Sequence, residues 1–242
     1  MEWLSRTHLL MGDEKLNCLK NAHVLVVGIG GVGGYACEQI ARAGVGAITI
    51  VDKDTVSESN INRQLIALHS TIHKDKVEVM ADRLRNINPN IKLTIIKEFL
   101  RDEMTDQVLE TPFDYVVDAI DTMTPKINLI AKTLKKGYPL VSSFGAGGRM
   151  DPSMIKVAPV EKSHGDKLGF HVRKRLHRMG IHTGFQVVFS DEQVPENAWY
   201  VGEGEQNKKA VVGTVSYMPP VFGCMLASVV IRDLVKHEIK SN

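Results

Sequence analysis

The chain is poor in cysteine and carries almost no excess of charge. Three cysteines, Cys18, Cys37 and Cys224, lie scattered over 242 residues with no CxxC pair. That spacing excludes a structural zinc ribbon, and the odd number argues against a disulfide framework, so a reducing, cytoplasmic compartment is expected. The formal net charge is only +2, from 30 basic and 28 acidic residues. So small a balance does not signal nucleic acid, and only local clustering can carry that argument. The opening "MEWLSRTHLLMGDEKL" has no basic region followed by an apolar core, so it does not read as a signal peptide. The longest apolar run, "MPPVFGCMLASVVIRDLV", contains Pro219, Pro220 and Gly223 and is interrupted by Arg232 and Asp233. A membrane span needs ~20 mostly apolar residues, so this run reads as a buried core helix, with no integral membrane association expected. There is no internal repeat, no low-complexity linker and no obvious nucleophile–base–acid triad.

What is present is a strand–helix alternation. "AHVLVVG", "GAITIVD", "IKLTIIK", "DYVVDAID" and "YPLVSS" read as strands, and helices are expected over Val32 to Ala43, in "KDKVEVMADRLRNINP" and in "PKINLIAKTLKKG". This predicts a Rossmann-like, doubly wound α/β fold with a mostly parallel sheet, and ligands bound outside the carboxyl ends of the strands. From about Gly145 the pattern changes. A glycine-rich "GAGGRMDP" is followed by two more strand-like stretches, "MIKVAPV" and "GFQVVFS", with a basic segment between them. The second half therefore reads as a C-terminal extension of the same sheet with an inserted basic segment. A single domain over 1–242 is expected, its nucleotide-binding part at about 20–150 and its substrate-facing part at about 151–242.

The stretch "VVGIGGVGGYACEQIARAG" places Gly28, Gly30 and Gly33 in a G-x-G-x-x-G turn between strand and helix. Such a turn lets backbone N–H groups approach phosphates at a helix N-terminus. Asp52 ends the next strand, where a carboxylate can accept ribose hydroxyls. To this point NAD and ATP fit equally well. The following "DKDTVSESNINRQL" separates them, because it supplies Asn60, Asn62, Arg63 and Gln64, with Lys76 on the next helix. Cations and amides aimed at phosphates suit a leaving pyrophosphate. Asp121, after the fourth strand, is placed to help hold Mg2+, which takes one or two carboxylates plus phosphate oxygens. In the second half, Lys162, Lys167, Arg173, Lys174, Arg175 and Arg178 stand against only Glu161 and Asp166, with His171 and His177 as further donors. Arg173, Lys174, Arg175 and Arg178 are the candidate RNA contacts, since such a cluster neutralises backbone phosphates. Phe170, among them, can stack on a base or fill the core, and filling the core is the expected reading.

"GIGGVGG", "RAGVGAITIVDKDTVSESNINRQL" and "VVDAID" resemble the ThiF/MoeB/HesA superfamily, the ubiquitin-activating-type adenylyltransferases, and the likeness continues to "PPVFGCMLASVVI". With "GAGGRMDP" and without zinc cysteines, the pattern is most similar to the branch that dehydrates threonylcarbamoyladenosine in tRNA. The resemblance implies a ligase-type reaction in which ATP, with Mg2+, adenylates the threonyl carboxylate and the side chain then closes on itself. It implies that Gly28, Gly30, Gly31 and Gly33 line the phosphates and that Asp52 holds the ribose. Asn60, Arg63, Gln64 and Lys76 would surround the triphosphate, with Asp54 and Asn62 in the same nucleotide-binding set. Arg63, Lys76 and Asp121 are the residues expected to carry the chemistry. A homodimer is also implied, in which Arg6 of "SRTHLL" completes the neighbour's ATP site. The alternative is activation of the C-terminal glycine of a ubiquitin-like sulfur carrier, and a cysteine desulfurase or sulfur acceptor is a further partner the resemblance allows. Cys224, in its apolar run, reads instead as a buried structural thiol. One departure is His73, where relatives often have glycine.

Overall fold

The computed structural model describes residues 2–200 and 211–236. Seven strands form one sheet: β1 (His23–Val27), β2 (Ala47–Val51), β3 (Lys92–Ile96), β4 (Tyr115–Asp118), β5 (Leu140–Ser143), β6 (Ile155–Pro159) and β7 (Gln186–Ser190). Their order is β3-β2-β1-β4-β5-β7-β6. All neighbours are parallel except β6, which runs antiparallel to β7 at the edge. Pro159, which has no N–H for a ladder, ends that edge strand. The order reverses between β1 and β4, and in doubly wound sheets the crevice beyond such a reversal is where ligands sit. A second, two-stranded ladder pairs β8 (Trp199–Tyr200) with β9 (Val211–Val212).

Helices cover both faces. On one lie α1 (Ser5–Asn21), α2 (Gly33–Arg42), α3 (Lys76–Ile87) and α7 (Met218–Leu234), around a core of Val24, Val26, Ile48, Ile50, Met80 and Phe222. On the other lie α4 (Asp102–Val108), α5 (Met123–Lys136) and α6 (Lys167–Arg178), over Leu25, Val27, Val116, Ile130 and Phe189. The central strands β1, β2 and β4 are mostly apolar and buried because both faces are covered, whereas the edge strands β3 and β6 are partly exposed. In α3 the buried residues Val77, Met80, Ala81 and Leu84 repeat at helical spacing. The C-cap of α5 is Gly137, left-handed at φ 75°, where glycine carries no Cβ penalty. Two helices carry little sequence signal. In α1 the path breaks at Gly12 (φ 77°, ψ 175°), and α4 is only seven residues long.

The apolar C-terminal run forms α7, packed in the core as expected, and no helix among the described residues is long and apolar enough to cross a membrane. Its glycine sets the spacing: a Cβ at Gly223 would stand 2.4 Å from the carbonyl oxygen of Val32, so α7 lies directly against the start of α2. One expectation fails on this helix. Cys224 is exposed, because it lies on the side of α7 turned away from the buried Phe222, Gly223 and Leu226.

Candidate functional site

The glycine turn leaves β1 and opens α2. Gly28 adopts φ 90°, and a Cβ there would meet the carbonyl oxygen of Ala119 at 2.8 Å. At Gly33 the constraint is tighter, since a Cβ would fall 1.8 Å from the carbonyl oxygen of Gly28. Any side chain at either position would force the turn open, away from β4. Asp52, just past β2, ties the turn down: Oδ2 accepts from Ile29 N at 2.6 Å and Oδ1 from Asp54 N at 2.9 Å. Burial pushes its carboxyl above the usual range, offset in part by nearby Lys76 and by these two N–H donors.

The loop after β2 folds back over the turn. Asn60 is buried and its Oδ1 accepts from Ser57 N, closing a tight turn that starts the segment. Arg63 and Gln64 then lie against the glycines. A Cβ on Gly31 would be 3.3 Å from the carbonyl oxygen of Arg63, and one on Gly30 would be 3.8 Å from Gln64 Nε2 with nothing else near. The space in front of Gly30 is therefore open, while Gln64 Oε1 is buried without a hydrogen-bond partner among the described residues. A buried amide oxygen in that state costs free energy unless a ligand or solvent group answers it. Arg63 Nη1 donates to the carbonyl oxygen of Ser59 and to Asn62 Oδ1, leaving the rest of its guanidinium fork available. Asn62 reaches the carbonyl oxygen of Thr214 through Nδ2, linking this loop to the chain before α7.

Lys76 stands at the first position of α3, its side chain 7% exposed, with Nζ 3.1 Å from Asp54 Oδ2. The approach to that helix explains the departure at residue 73. His73 has φ 69°, a left-handed conformation that glycine takes freely and that histidine tolerates better than β-branched residues do. The structure thus brings Gly28, Gly30, Gly31, Gly33, Asp52, Asp54, Asn60, Asn62, Arg63, Gln64 and Lys76 to one edge of the sheet. Asp121 joins them, exposed in the loop after β4 whose Ala119 touches Gly28. Arg6 is not joined to them. It is exposed on α1, and among the described residues no hydrogen bond or ion pair connects it to the glycine turn.

Two buried ion pairs, neither of them foreseen from sequence, hold this edge in place. Lys126 Nζ lies 2.7 Å from Asp118 Oδ2, both side chains fully buried, and also donates to the carbonyl oxygen of Ile120 at 2.9 Å. Asp118 accepts further from Ser142 Oγ and Ile120 N. Together these bonds set the course of the 119–121 loop. In the second half, Arg149 of the "GAGGRMDP" loop is 1% exposed and pairs with Asp166 at 2.9 Å. Its Nη1 also donates to the carbonyl oxygen of Gly145, just beyond β5. Asp166 is the N-cap of α6, accepting from Gly169 N. The glycine-rich loop and the basic helix are thereby one unit at the same edge as the nucleotide-type turn.

On α6 itself the expected contact set divides. Lys174, Arg175 and Arg178 are exposed. Arg173 is partly buried and donates to Ser163 Oγ at 2.6 Å, and burial lowers its pKa from the ordinary arginine value. Its spacing turns it partly toward the body, so it is the least exposed of the four expected contacts. Phe170 corrects in the opposite sense. It is 54% exposed rather than in the core, because Gly169, Val172 and Leu176 occupy the inward face. Burying Val172 and Leu176 contributes ~1.5–3 kcal/mol each, against ~0.2–0.5 kcal/mol for each like-charge pair one turn apart. Packing therefore holds the helix despite its crowded cations.

A glycine turn at the strand-order reversal of a parallel sheet, with its carboxylate after β2, defines the doubly wound, nucleotide-binding class of α/β protein. Within that class, the chain belongs to the ThiF family, matched over residues 4–242. It is 41% identical over 244 residues to the tRNA threonylcarbamoyladenosine dehydratase of Bacillus subtilis (strain 168), covering 98% of this chain and 96% of that protein. The protein of the same name from Escherichia coli (strain K12) is 43% identical over 170 residues, 70% of this chain and 63% of its own length. Among solved structures, the E. coli dehydratase TcdA in complex with ATP superposes with a TM-score of 0.91 at 33% identity, covering 100% of this chain and 97% of that one.

Proposed function

We propose that this protein is an ATP-dependent tRNA threonylcarbamoyladenosine dehydratase. The observation that carries the reading is the packing of Arg63 against Gly31 and of Gln64 beside an open Gly30, with Lys76 on the adjoining helix. Backbone left open at Gly30, the donating Gln64 amide beside it and a helix N-terminus suit a polyphosphate better than the two bridging phosphates of a dinucleotide. Asp52 and Asp54 take the ribose side. A carboxylate oxygen of the threonyl group attacks the α-phosphorus of ATP and pyrophosphate leaves. A nitrogen or oxygen of the same side chain then attacks the activated carbonyl carbon, AMP leaves and a proton passes to solvent. Both steps call on positioning and charge neutralisation rather than on an acid–base pair, since the ring-closing atom is already in reach. Overall the reaction is of the ligase type, and with tRNA as substrate the site of action is cytoplasmic.

Mg2+ fits as a companion of the phosphates. No group of three or more His, Cys, Asp or Glu side chains stands together among the described residues. With phosphate oxygens supplying most ligands, one carboxylate suffices, and exposed Asp121 is that group. The ion supplies positive charge to the phosphates. A sulfur-transfer partner finds an accessible thiol at Cys224, but burial and the Glu38 carboxylate raise its pKa, which disfavours the thiolate such chemistry needs. Mg-ATP with threonylcarbamoyl-modified tRNA is expected to give the cyclised base with AMP and pyrophosphate in equal amounts. Pyrophosphate exchange that depends on a ubiquitin-like carrier and ignores the modified tRNA would overturn the reading in favour of carrier activation.

The functional unit is a homodimer in which Arg6 reaches the partner's nucleotide site. Exposed Leu9 and Leu10, 85% and 83% accessible, on the same short helical stretch as Arg6 support this arm-like role. An Arg6→Ala chain mixed with a Lys76→Ala chain should recover part of the activity, since half the sites of a mixed dimer are whole. No recovery, or a fully active monomer by light scattering, argues against it.

The exposed cations of α6 position tRNA through its backbone. Replacing Lys174, Arg175 and Arg178 together with Ser should raise KM for tRNA while leaving ATP affinity unchanged. The dependence of log affinity on log salt should flatten by roughly 0.7 to 0.9 per lost phosphate contact. An unchanged slope in filter binding would remove α6 from the RNA surface.

A further inference from the structure

Phe170 has no structural task that accounts for it. It stands 54% exposed on a helix whose inward face is complete without it. Its place on the helix is specific. At 100° per residue, Lys167, Phe170, His171, Lys174 and Arg178 fall on one outward stripe, so the ring lies among cations one turn to either side. A second exposed aromatic flanks the stripe: the Lys167 ammonium sits over the ring of Trp199, 4.9 Å from its centroid. The His171 ring meets Phe170 edge-on at 5.3 Å.

The stripe is also aimed. Arg149 joins Asp166, the N-cap of α6, to the carbonyl oxygen of Gly145 just past β5. Gly169 lets the first turn of the helix press onto the end of that strand, since a Cβ there would be 2.4 Å from the Phe144 ring. β5 is parallel to β1 and two strands along, so its carboxyl end lies on the edge that carries the glycine turn, ~10 Å away across the sheet. The first turns of α6, with Phe170, therefore border the nucleotide edge, and the remaining cations lead away from it.

We propose that Phe170 is a base-stacking platform that positions the tRNA by taking the face of an unpaired base near the modified adenosine. The inference rests on the tRNA reading above and adds a residue to it. An aromatic set among phosphate-neutralising cations is the arrangement that holds single-stranded RNA, where unstacked bases expose their faces; a duplex does not offer them. A protein occupant is disfavoured by charge. The helix has no acidic residue, so a second copy of this face would be repelled, whereas a nucleic-acid backbone is attracted.

The test is Phe170→Ala beside Phe170→Trp, in the full-length enzyme with modified tRNA. The alanine variant should raise KM for tRNA roughly tenfold, with kcat at saturation, KM for ATP and molecular mass unchanged. The salt dependence of tRNA binding should also be unchanged, because stacking releases no counterions; this separates Phe170 from Lys174, Arg175 and Arg178. The tryptophan variant should keep a KM near that of wild type. With unpaired bases near the modified adenosine replaced one at a time by abasic sites, one position should abolish the penalty of the alanine variant. A wild-type KM in Phe170→Ala overturns the proposal, as does an altered mass or an equal penalty on every abasic tRNA. Inactivity of the wild type on modified tRNA would instead overturn the dehydratase reading itself.

Discussion

Lys126→Met is expected to destabilise the fold by about 3 to 5 kcal/mol, the range found when one partner of a buried ion pair is removed. Asp118 would stay fully buried, still accepting from Ser142 Oγ and Ile120 N but with no cation 2.7 Å away. Domains are stable by only ~5–15 kcal/mol, so the loss would be plain in a urea or thermal melt. Removing both charges, as Asp118→Asn with Lys126→Met, should recover much of it, because neither group is then a stranded ion. A cost of under ~1 kcal/mol for the single variant would mean that the pair is solvated. At temperatures where the single variant remains folded, KM for Mg-ATP should rise, since the Lys126 bond to the carbonyl oxygen of Ile120 sets the loop that carries Asp121.

Lys76→Ala should divide its effects the other way. Its partner Asp54 has a side chain 51% exposed, so water takes over the carboxylate and the stability cost should stay below ~1 kcal/mol. Turnover should nevertheless fall on the order of a hundredfold or more, because a donor lost from a developing phosphate charge costs ~3 kcal/mol of barrier. Arg63→Ala should behave likewise, its anchors being a backbone carbonyl and Asn62 rather than a buried acid. Rapid-quench turnover and urea midpoints measured on the same preparations decide the matter. Near-normal kcat in both variants would remove these side chains from the reaction, while collapse of both folds would make them structural. The contrast with Lys126 is informative, because both are lysines near the same sheet edge and the acid each pairs with is half exposed in one case and fully buried in the other.

Much of the nucleotide edge was legible because it depends on short-range constraints. The spacing of Gly28, Gly30 and Gly33 between a strand and a helix, and the position of Asp52 at the end of β2, follow from local backbone requirements. The continuous apolar runs named the strands, since a sheet covered on both faces needs them. Two side chains were misread for one shared reason. Phe170 and Cys224 were assigned inward, and each is exposed. A helix with few apolar residues gives a weak phase, and a helix apolar nearly all round gives none, so packing partners alone decide which side is in.

By itself the sequence determined the doubly wound class, the glycine turn, the set of phosphate-suited residues after β2 and the concentration of cations between β6 and β7. Each of these is written in neighbours along the chain. Only the tertiary structure decided that Arg63 and Gln64 close on Gly30 and Gly31, that Asp118 is neutralised by Lys126, and that Arg149 ties the loop after β5 to the cap of α6. The physical reason is the cost of burying charge. A buried ion needs a partner wherever the fold can bring one, and such partners come from separate elements, with no fixed spacing to announce them.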